Sequence, residues 1–234
     1  DCRQIILPWE VASWQGSTPQ PEQYVINIPI ELVEKFANIW HRLSSAGISA
    51  DTFLMNDPIT NEPTLPEDVI KYFAELGSQG KQRIVEAAFT NGPGFVLYNG
   101  LDINALVPSS YKSVNRRADI EEAAKLFFYI LSIHIGDGVI TKRGRLFDVM
   151  DRGLDTKADN VLFSASNTES TWHTDSSDLA CFPDIVGLLC LAQCGGLESE
   201  GRLSCANAAD AYGYLVENYP AKILQTLQSP HAVS

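Results

Sequence analysis

The spacing of hydrophobic residues changes near residue 90, and this change constrains the fold more than any other feature of the sequence. Before it, the segment Ile30–Ser45 carries apolar residues at a nearly helical period, at Leu32, Val33, Phe36, Ile39, Trp40 and Leu43. After it, short apolar runs are bounded by Gly, Asn and Asp, a pattern typical of strands. Helices followed by strands indicate an α+β or decorated all-β domain rather than a regular βαβ alternation.

Three helices are predicted in the first part of the chain. Pro29 is a natural helix opener and places the start of the first helix at Ile30–Ser45. Glu67–Leu76 and Lys81–Phe89 are predicted as two further helices because Gly77–Gly80 lies between them.

The second part of the chain combines predicted strands with helical inserts. The predicted strands are Phe95–Tyr98, Arg145–Met150, Asn160–Ser164, Asp184–Ala192 and Arg202–Cys205. The predicted helices are Ala118–Ile135, Ala208–Asn218 and Ala221–Leu227.

Charge and apolar content exclude some classes of partner. Lys and Arg total 17 against 29 Asp and Glu, so the net charge is −12 and the average field repels nucleic acid and anionic membranes. No apolar run approaches the roughly 18–20 residues that a membrane span needs. We therefore expect no nucleic-acid partner and no membrane span.

The cysteines indicate in which compartment the protein works, and the two ends of the sequence indicate that it is part of a longer chain. Five Cys occur without a CxxC pair, so a zinc ribbon is not supported, and Cys190 and Cys205 are expected to be buried free thiols. This usage favours a reducing, cytoplasmic compartment. The chain starts at Asp1 and stops at Ser234 without a terminal signal, and we expect it to be part of a longer protein.

Only four His are present, so the candidates for metal or acid–base chemistry are few. His41 follows Trp40 on a predicted helix, and His134 lies on an apolar helix where a satisfied core histidine is expected. His173 differs because it stands two residues before Asp175 after a polar stretch. In an extended segment, residues i and i+2 point to the same side, so the imidazole and the carboxylate converge.

The His173–Asp175 pair has two interpretations. One imidazole nitrogen and one carboxylate oxygen suit a divalent metal, as in sites where two His and one carboxylate hold non-haem Fe(II). A simple hydrogen bond between the two side chains on the surface explains the same spacing. A zinc hydrolase would need a third ligand and a general base, neither of which the sequence offers.

An ordered series of segments resembles the TauD-like, and more closely the clavaminate synthase-like, iron(II)/2-oxoglutarate-dependent oxygenases. The segments that carry the resemblance are Gly92-Pro-Gly-Phe-Val-Leu-Tyr-Asn-Gly-Leu-Asp102, Leu106-Val-Pro108, Gly136-Asp-Gly138 through Gly144–Val149, Trp172-His-Thr-Asp175, Pro183–Leu191, Gly195-Gly196, Arg202–Ala206 and Tyr212–Leu227. Together they cover roughly residues 85–230, and their order makes the set more specific than any one segment.

The resemblance implies a fold and a reaction. The fold is a double-stranded β-helix, or jelly roll, with flanking helices. The protein is expected to form a single oxygenase domain, with residues 1–90 as a helical region and 91–234 as the first part of the core. The cofactors implied are Fe(II), 2-oxoglutarate as co-substrate, and O2. The reaction implied is oxidation of an unactivated C–H bond, by hydroxylation, desaturation or cyclisation, with succinate and CO2 as by-products.

The resemblance also implies roles for particular residues. His173 and Asp175 are expected to hold the metal, and Ser199 or Ser204 to supply a hydroxyl to 2-oxoglutarate. The substrate class that the resemblance implies is a small polar molecule, an amino acid or a derivative. The polar stretch Ser164–Thr171 lies just upstream of the metal motif, so Asn167 and Glu169 are the first candidates for substrate contacts, with Asn160 and Arg145 as alternatives. A plain solvated loop explains the same polar residues. Trp172 is expected to pack and to fix the motif. No catalytic residue is expected beyond the metal ligands.

Two departures from the family pattern remain. Closer relatives often carry His-x-Glu, whereas this chain carries Asp175. The second metal His and the late Arg that binds 2-oxoglutarate are not evident, and His231 is better explained as a loop histidine than as the missing ligand. We therefore expect the last part of the jelly roll to lie outside this sequence. The alternative function is a non-catalytic jelly-roll protein that binds a ligand or partner and has an incomplete metal site.

Overall fold

A computed structural model describes residues 19–89, 93–140, 144–153, 165, 173–175, 183–192 and 205–229. The chain divides into two compact units, which are described separately. The first comprises Asp1–Asp137 with Leu189–Ser234, and the second comprises Gly138–Leu188. The prediction of a single oxygenase domain stays a prediction.

The first unit contains the regular secondary structure of the described residues. Its elements, in chain order, are α1 (Pro21–Tyr24), β1 (Val25–Asn27), α2 (Ile30–Ser45), α3 (Glu67–Phe89), β2 (Leu97–Asn99), a 3-10 helix (Ile103–Leu106), α4 (Arg116–Ile133), α5 (Ala208–Asn218) and α6 (Ala221–Gln228). The predicted helices that became α2, α4, α5 and α6 are confirmed to within two residues at each end.

A short parallel pair of strands forms beside these helices. Ile26 lies opposite Tyr98 in the register of β1 and β2, and the ladder continues where the Ile28 N–H donates to the Asn99 carbonyl at 2.8 Å. Because parallel strands need a crossover, α2 and α3 provide the connection between them. Gly100 follows β2 with φ +90°, a left-handed conformation that Gly adopts without steric cost.

An aromatic cluster lies at the centre of the core. Phe36 of α2, Phe73 of α3 and Phe127 of α4 are almost fully buried, and their ring centroids are 4.8–6.3 Å apart in edge-to-face pairs. Such aromatic pairs contribute beyond the apolar area that they bury. The apolar positions predicted for α2 that reach this core include Leu32, Val33, Trp40 and Leu43.

The prediction of two helices within residues 67–89 was wrong, because α3 runs without a break through Gly77 and Gly80. Both glycines are buried contact points. A Cβ on Gly77 would lie 2.5 Å from the His134 Cβ, and a Cβ on Gly80 would overlap the Tyr98 hydroxyl. The glycines therefore allow neighbouring segments to approach the helix closely, and they do not end it.

Side-chain caps fix the start of several helices. The Asn115 side chain accepts from the Ala118 N–H at the start of α4, and the Asn207 side chain accepts from the Ala209 N–H at the start of α5. Asp102 does the same for Asn104 in the 3-10 helix. These caps satisfy N–H groups that have no partner within the helix.

The strand predictions agree less well with the structure. Phe95–Tyr98 is confirmed in part by β2, but Arg145–Met150 and Asp184–Ala192 form no strand among the residues that the structure describes. Asn160–Ser164 and most of Arg202–Cys205 lie outside the described residues. The described part of the chain is therefore mainly helical with one short pair of strands, and the double-stranded β-helix stays a prediction.

The expectation of buried thiols was wrong for both cysteines that the structure describes. Cys190 and Cys205 are free and exposed. Cys190 lies within the apolar run Asp184–Ala192 that was predicted to be a strand, and its thiol donates to the Ala192 carbonyl at 3.5 Å.

Candidate metal centre

The second unit brings His173 and Asp175 together. The His173 Nε2 lies 3.4 Å from the Asp175 Oδ1, as the i, i+2 spacing predicts. The two side chains are 54% and 55% exposed, so both can be reached from solvent. The pair therefore presents a nitrogen and an oxygen donor side by side at the surface of this unit.

The separation of these two atoms suits a shared metal ion. Metal–ligand bonds of about 2.1 Å that meet at about 90–110° place two donor atoms about 3.0–3.4 Å apart. A mixed nitrogen and oxygen donor set is also one that Fe(II) accepts. The chemistry and the spacing of the pair thus fit two neighbouring positions around a divalent metal.

The described residues do not supply a third ligand. Within them, no group of three or more His, Cys, Asp or Glu side chains is placed to hold a metal ion. His41 and His134 belong to the first unit, and His231 lies outside the described residues. The expected second His is therefore not identified.

The other predicted site residues are mostly untested by the structure. Those that lie outside the described residues are Asn160, Asn167, Glu169, Trp172, Ser199 and Ser204. Arg145 is described in the second unit, where it is partly buried and has an interaction partner. Their roles stay predictions.

His134 was predicted to be a satisfied core histidine, and this was only partly right. The side chain closes the end of α4 against α3, but its Nε2 is buried and has no hydrogen-bond partner among the described residues. Burial lowers the pKa of the imidazole. The apolar helix around His134 predicted its contact with the core, and the residue is half-buried. The missing partner of Nε2 depends on tertiary packing, so the sequence could not predict it.

One family model matches most of the chain. The model of the family described as "Taurine catabolism dioxygenase TauD, TfdA family" matches residues 60–234, which include His173 and Asp175. The chain belongs to this family. No curated protein and no solved structure matches the chain significantly.

Membership of this family establishes the general chemistry. TauD/TfdA family enzymes are dioxygenases that use Fe(II), 2-oxoglutarate and O2 and act on small molecules. This agrees with the cofactors that the sequence resemblance implied. In the described part of the chain, no helix combines the length and the apolar character needed to cross a membrane.

Proposed function

We propose that the protein uses Fe(II) and 2-oxoglutarate to oxidise an unactivated C–H bond in a small polar metabolite, an amino acid or a derivative of one. The product is hydroxylated, desaturated or cyclised at that C–H bond. The observation that carries this proposal is the 3.4 Å contact between His173 Nε2 and Asp175 Oδ1 in a chain of this family.

In this proposal the chain's own residues hold and orient the reactants. His173 and Asp175 hold the metal, together with a second His that is not yet identified. When bound, Fe(II) would activate O2, and 2-oxoglutarate would provide the electrons for this step. Ser199 or Ser204 binds 2-oxoglutarate, and Asn167 and Glu169 position the substrate. The jelly roll is the proposed scaffold for these groups.

The test is turnover of 2-oxoglutarate by the purified protein with Fe(II) and O2. Succinate is measured with a panel of amino acids and with none. We expect His173→Ala to abolish succinate release, while His41→Ala, which changes an exposed helical histidine of the other unit, keeps it. Circular dichroism confirms that both variants are folded. Equal succinate release by His173→Ala and the unaltered protein would overturn the proposal.

A second measurement separates metal binding from turnover. Anaerobic addition of Fe(II) and then 2-oxoglutarate is expected to give a weak visible absorption band, which His173→Ala lacks. This band requires that metal and co-substrate bind together, but it does not require the correct substrate. Its absence in the unaltered protein, together with no succinate, would contradict the enzyme proposal.

A non-catalytic binding protein is the second candidate. The observation that favours it is the exposure of the His173–Asp175 pair, because a simple hydrogen bond between two exposed side chains accounts for their 3.4 Å contact without a metal. Such a protein would bind an amino-acid-like ligand without forming succinate. Calorimetric binding of an amino acid that no combination of Fe(II), 2-oxoglutarate and O2 converts would support it.

We also propose that the protein works in a reducing, cytoplasmic compartment. The exposed free thiols of Cys190 and Cys205 support this, because exposed cysteines in oxidising compartments are usually paired.

A further inference from the structure

His134 closes the contact between the end of α4 and the middle of α3. A Cβ on Gly77 would lie 2.5 Å from the His134 Cβ and 2.8 Å from the His134 carbonyl oxygen, so this contact needs a glycine. On its other side, the imidazole stacks nearly parallel on Phe73, with ring centroids 6.5 Å apart and an interplanar angle of 8°. His134 therefore contacts two residues of one helix, with its Cβ and backbone against Gly77 and its ring against Phe73.

The inner nitrogen of this ring is buried without compensation. The His134 Nε2 is inaccessible to solvent, and none of the described residues makes a hydrogen bond to it. A neutral imidazole tolerates this position when Nε2 is the nitrogen without a proton. An imidazolium carries a proton on both nitrogens, so it would bury an unpaired charged donor, which is far more costly.

The surrounding charges do not offset that cost. On α3, the charged residues nearest in sequence to Phe73 and Gly77 are Lys71, Glu75 and Lys81, and after α4 the one nearest to His134 is Asp137. All four are exposed, and Lys71 pairs with Glu75. Among the described residues, no charged group contributes to the lowered pKa of His134, which burial alone causes. The free carbonyls at the end of α4 favour a cation, but the His134 and Ile135 N–H groups already bond to two of them, those of Leu131 and Ser132.

We propose that His134 is an acid-sensitive latch between α3 and α4. The neutral ring packs on Phe73 and holds the last turn of α4 against Gly77. Protonation places a charge in this apolar contact and releases the turn, because the charged ring is more stable in water than in the folded position. The released turn is the one from which the chain leaves α4 towards Gly138, where the second unit begins.

The direction of the pH effect follows from linkage. The folded protein binds the proton on His134 less readily than the unfolded chain does, so the unfolded state takes up more protons at acid pH. The contribution of His134 to stability is present above its unfolded pKa of about 6.5 and is lost as the pH falls below that value. One proton changes the unfolding equilibrium constant by at most about tenfold per pH unit.

The first test compares the full chain with His134→Phe, which keeps an aromatic ring beside Phe73 and cannot be protonated. Urea unfolding is measured between about pH 7.5 and about pH 5. We expect the unfolding equilibrium constant of the unaltered protein to rise several-fold more over this range than that of His134→Phe. His41→Gln, which removes an exposed histidine, is the matched control and should keep the pH dependence of the unaltered protein.

The second test measures local opening and titration directly. Amide hydrogen exchange of His134 and Ile135 should accelerate at acid pH relative to Ala46, the corresponding end residue of α2. In His134→Phe this acceleration should be absent. NMR titration of the His134 ring in the unaltered protein decides the matter even if the variant does not fold. A His134 ring that titrates at or above about pH 6.5, or equal pH dependences in the two proteins, would overturn the latch.

Discussion

The hydroxyl of Tyr98 lies against the backbone of Gly80, in the interior of α3. A Cβ on Gly80 would overlap the Tyr98 hydroxyl oxygen and lie 3.0 Å from the ring carbon that carries it. The same hydroxyl donates to the Leu76 carbonyl at 2.9 Å. This contact connects β2 to α3, and it explains why a helix-breaking residue stands within a long helix.

We expect Gly80→Ala to destabilise the protein by about 1–3 kcal/mol, because an added methyl group in a packed contact forces its neighbours to shift. This loss opposes the gain of about 1 kcal/mol that alanine normally brings to a helix interior. Urea unfolding measures the difference. Gly136→Ala is the control, since a Cβ there has open space around it.

A double-mutant cycle shows whether the contact with Tyr98 is the cause. Tyr98→Phe removes the hydroxyl oxygen that the new methyl group would overlap, so Gly80→Ala should cost less in that background than in the unaltered protein. If Gly80→Ala lowers the free energy of unfolding equally in both backgrounds, the contact with the Tyr98 hydroxyl is not what requires a glycine at position 80.

The ionisation of Tyr98 should weaken the fold at high pH. Burial raises the pKa of Tyr98 to about 12, and the nearby Arg83 opposes this shift. The raised pKa means that the contribution of Tyr98 to stability is present below the unfolded value of about 10 and is lost as the pH rises from there towards 12. Tyrosinate absorbance should show one fewer residue ionising near pH 10 in the folded protein than in urea. Tyr98→Phe should remove that difference, and an unchanged difference would assign it to another tyrosine.

The aromatic cluster should dominate the stability of the first unit. Phe73 is fully buried and contacts the rings of Phe36, Phe127 and His134. We expect Phe73→Ala to lower the free energy of unfolding by about 3–5 kcal/mol, because it leaves a cavity among the three helices. Phe73→Leu keeps more of the volume and should cost less. Urea denaturation provides both values, and an equal cost for the two variants would contradict a cavity effect.

The helices of the first unit could be predicted because their sequence signals are local. Pro29 and the apolar spacing set α2 at Ile30–Ser45, and Asn207 and Pro220 mark the starts of α5 and α6. The continuity of α3 could not be predicted, because Gly77 and Gly80 have the same local signal in a loop as in a close helix contact. Only the partners, His134 and Tyr98, distinguish the two cases, and both are distant in sequence.

In the candidate metal site, too, the local part could be predicted from the sequence and the part that depends on distant residues could not. The His173–Asp175 spacing is local, and the structure brings the two side chains within 3.4 Å. In the proposed jelly roll, a second His and a basic residue for 2-oxoglutarate would come from strands that are distant in sequence. The apolar runs Arg145–Met150 and Asp184–Ala192 do not by themselves predict the register of such strands. The prediction that Cys190 is buried was wrong for the same reason, since it was inferred from a strand that the described residues 184–192 do not form.

The charge of Asp175 should decide whether the pair binds a metal. Asp175→Asn keeps the size of the side chain and removes its negative charge, so Fe(II) affinity should fall by more than the roughly 10–100-fold that the loss of an outer-shell partner costs. Asp175→Glu keeps the charge, and we expect it to retain part of the affinity, because a longer carboxylate can still reach the metal. Anaerobic calorimetry with Fe(II) measures all three proteins. Asp184→Asn is the matched control, because Asp184 is an exposed carboxylate of the same unit. If Asp175→Asn and Asp184→Asn bind Fe(II) equally well, the contact between His173 and Asp175 is a surface hydrogen bond and the metal must be held elsewhere.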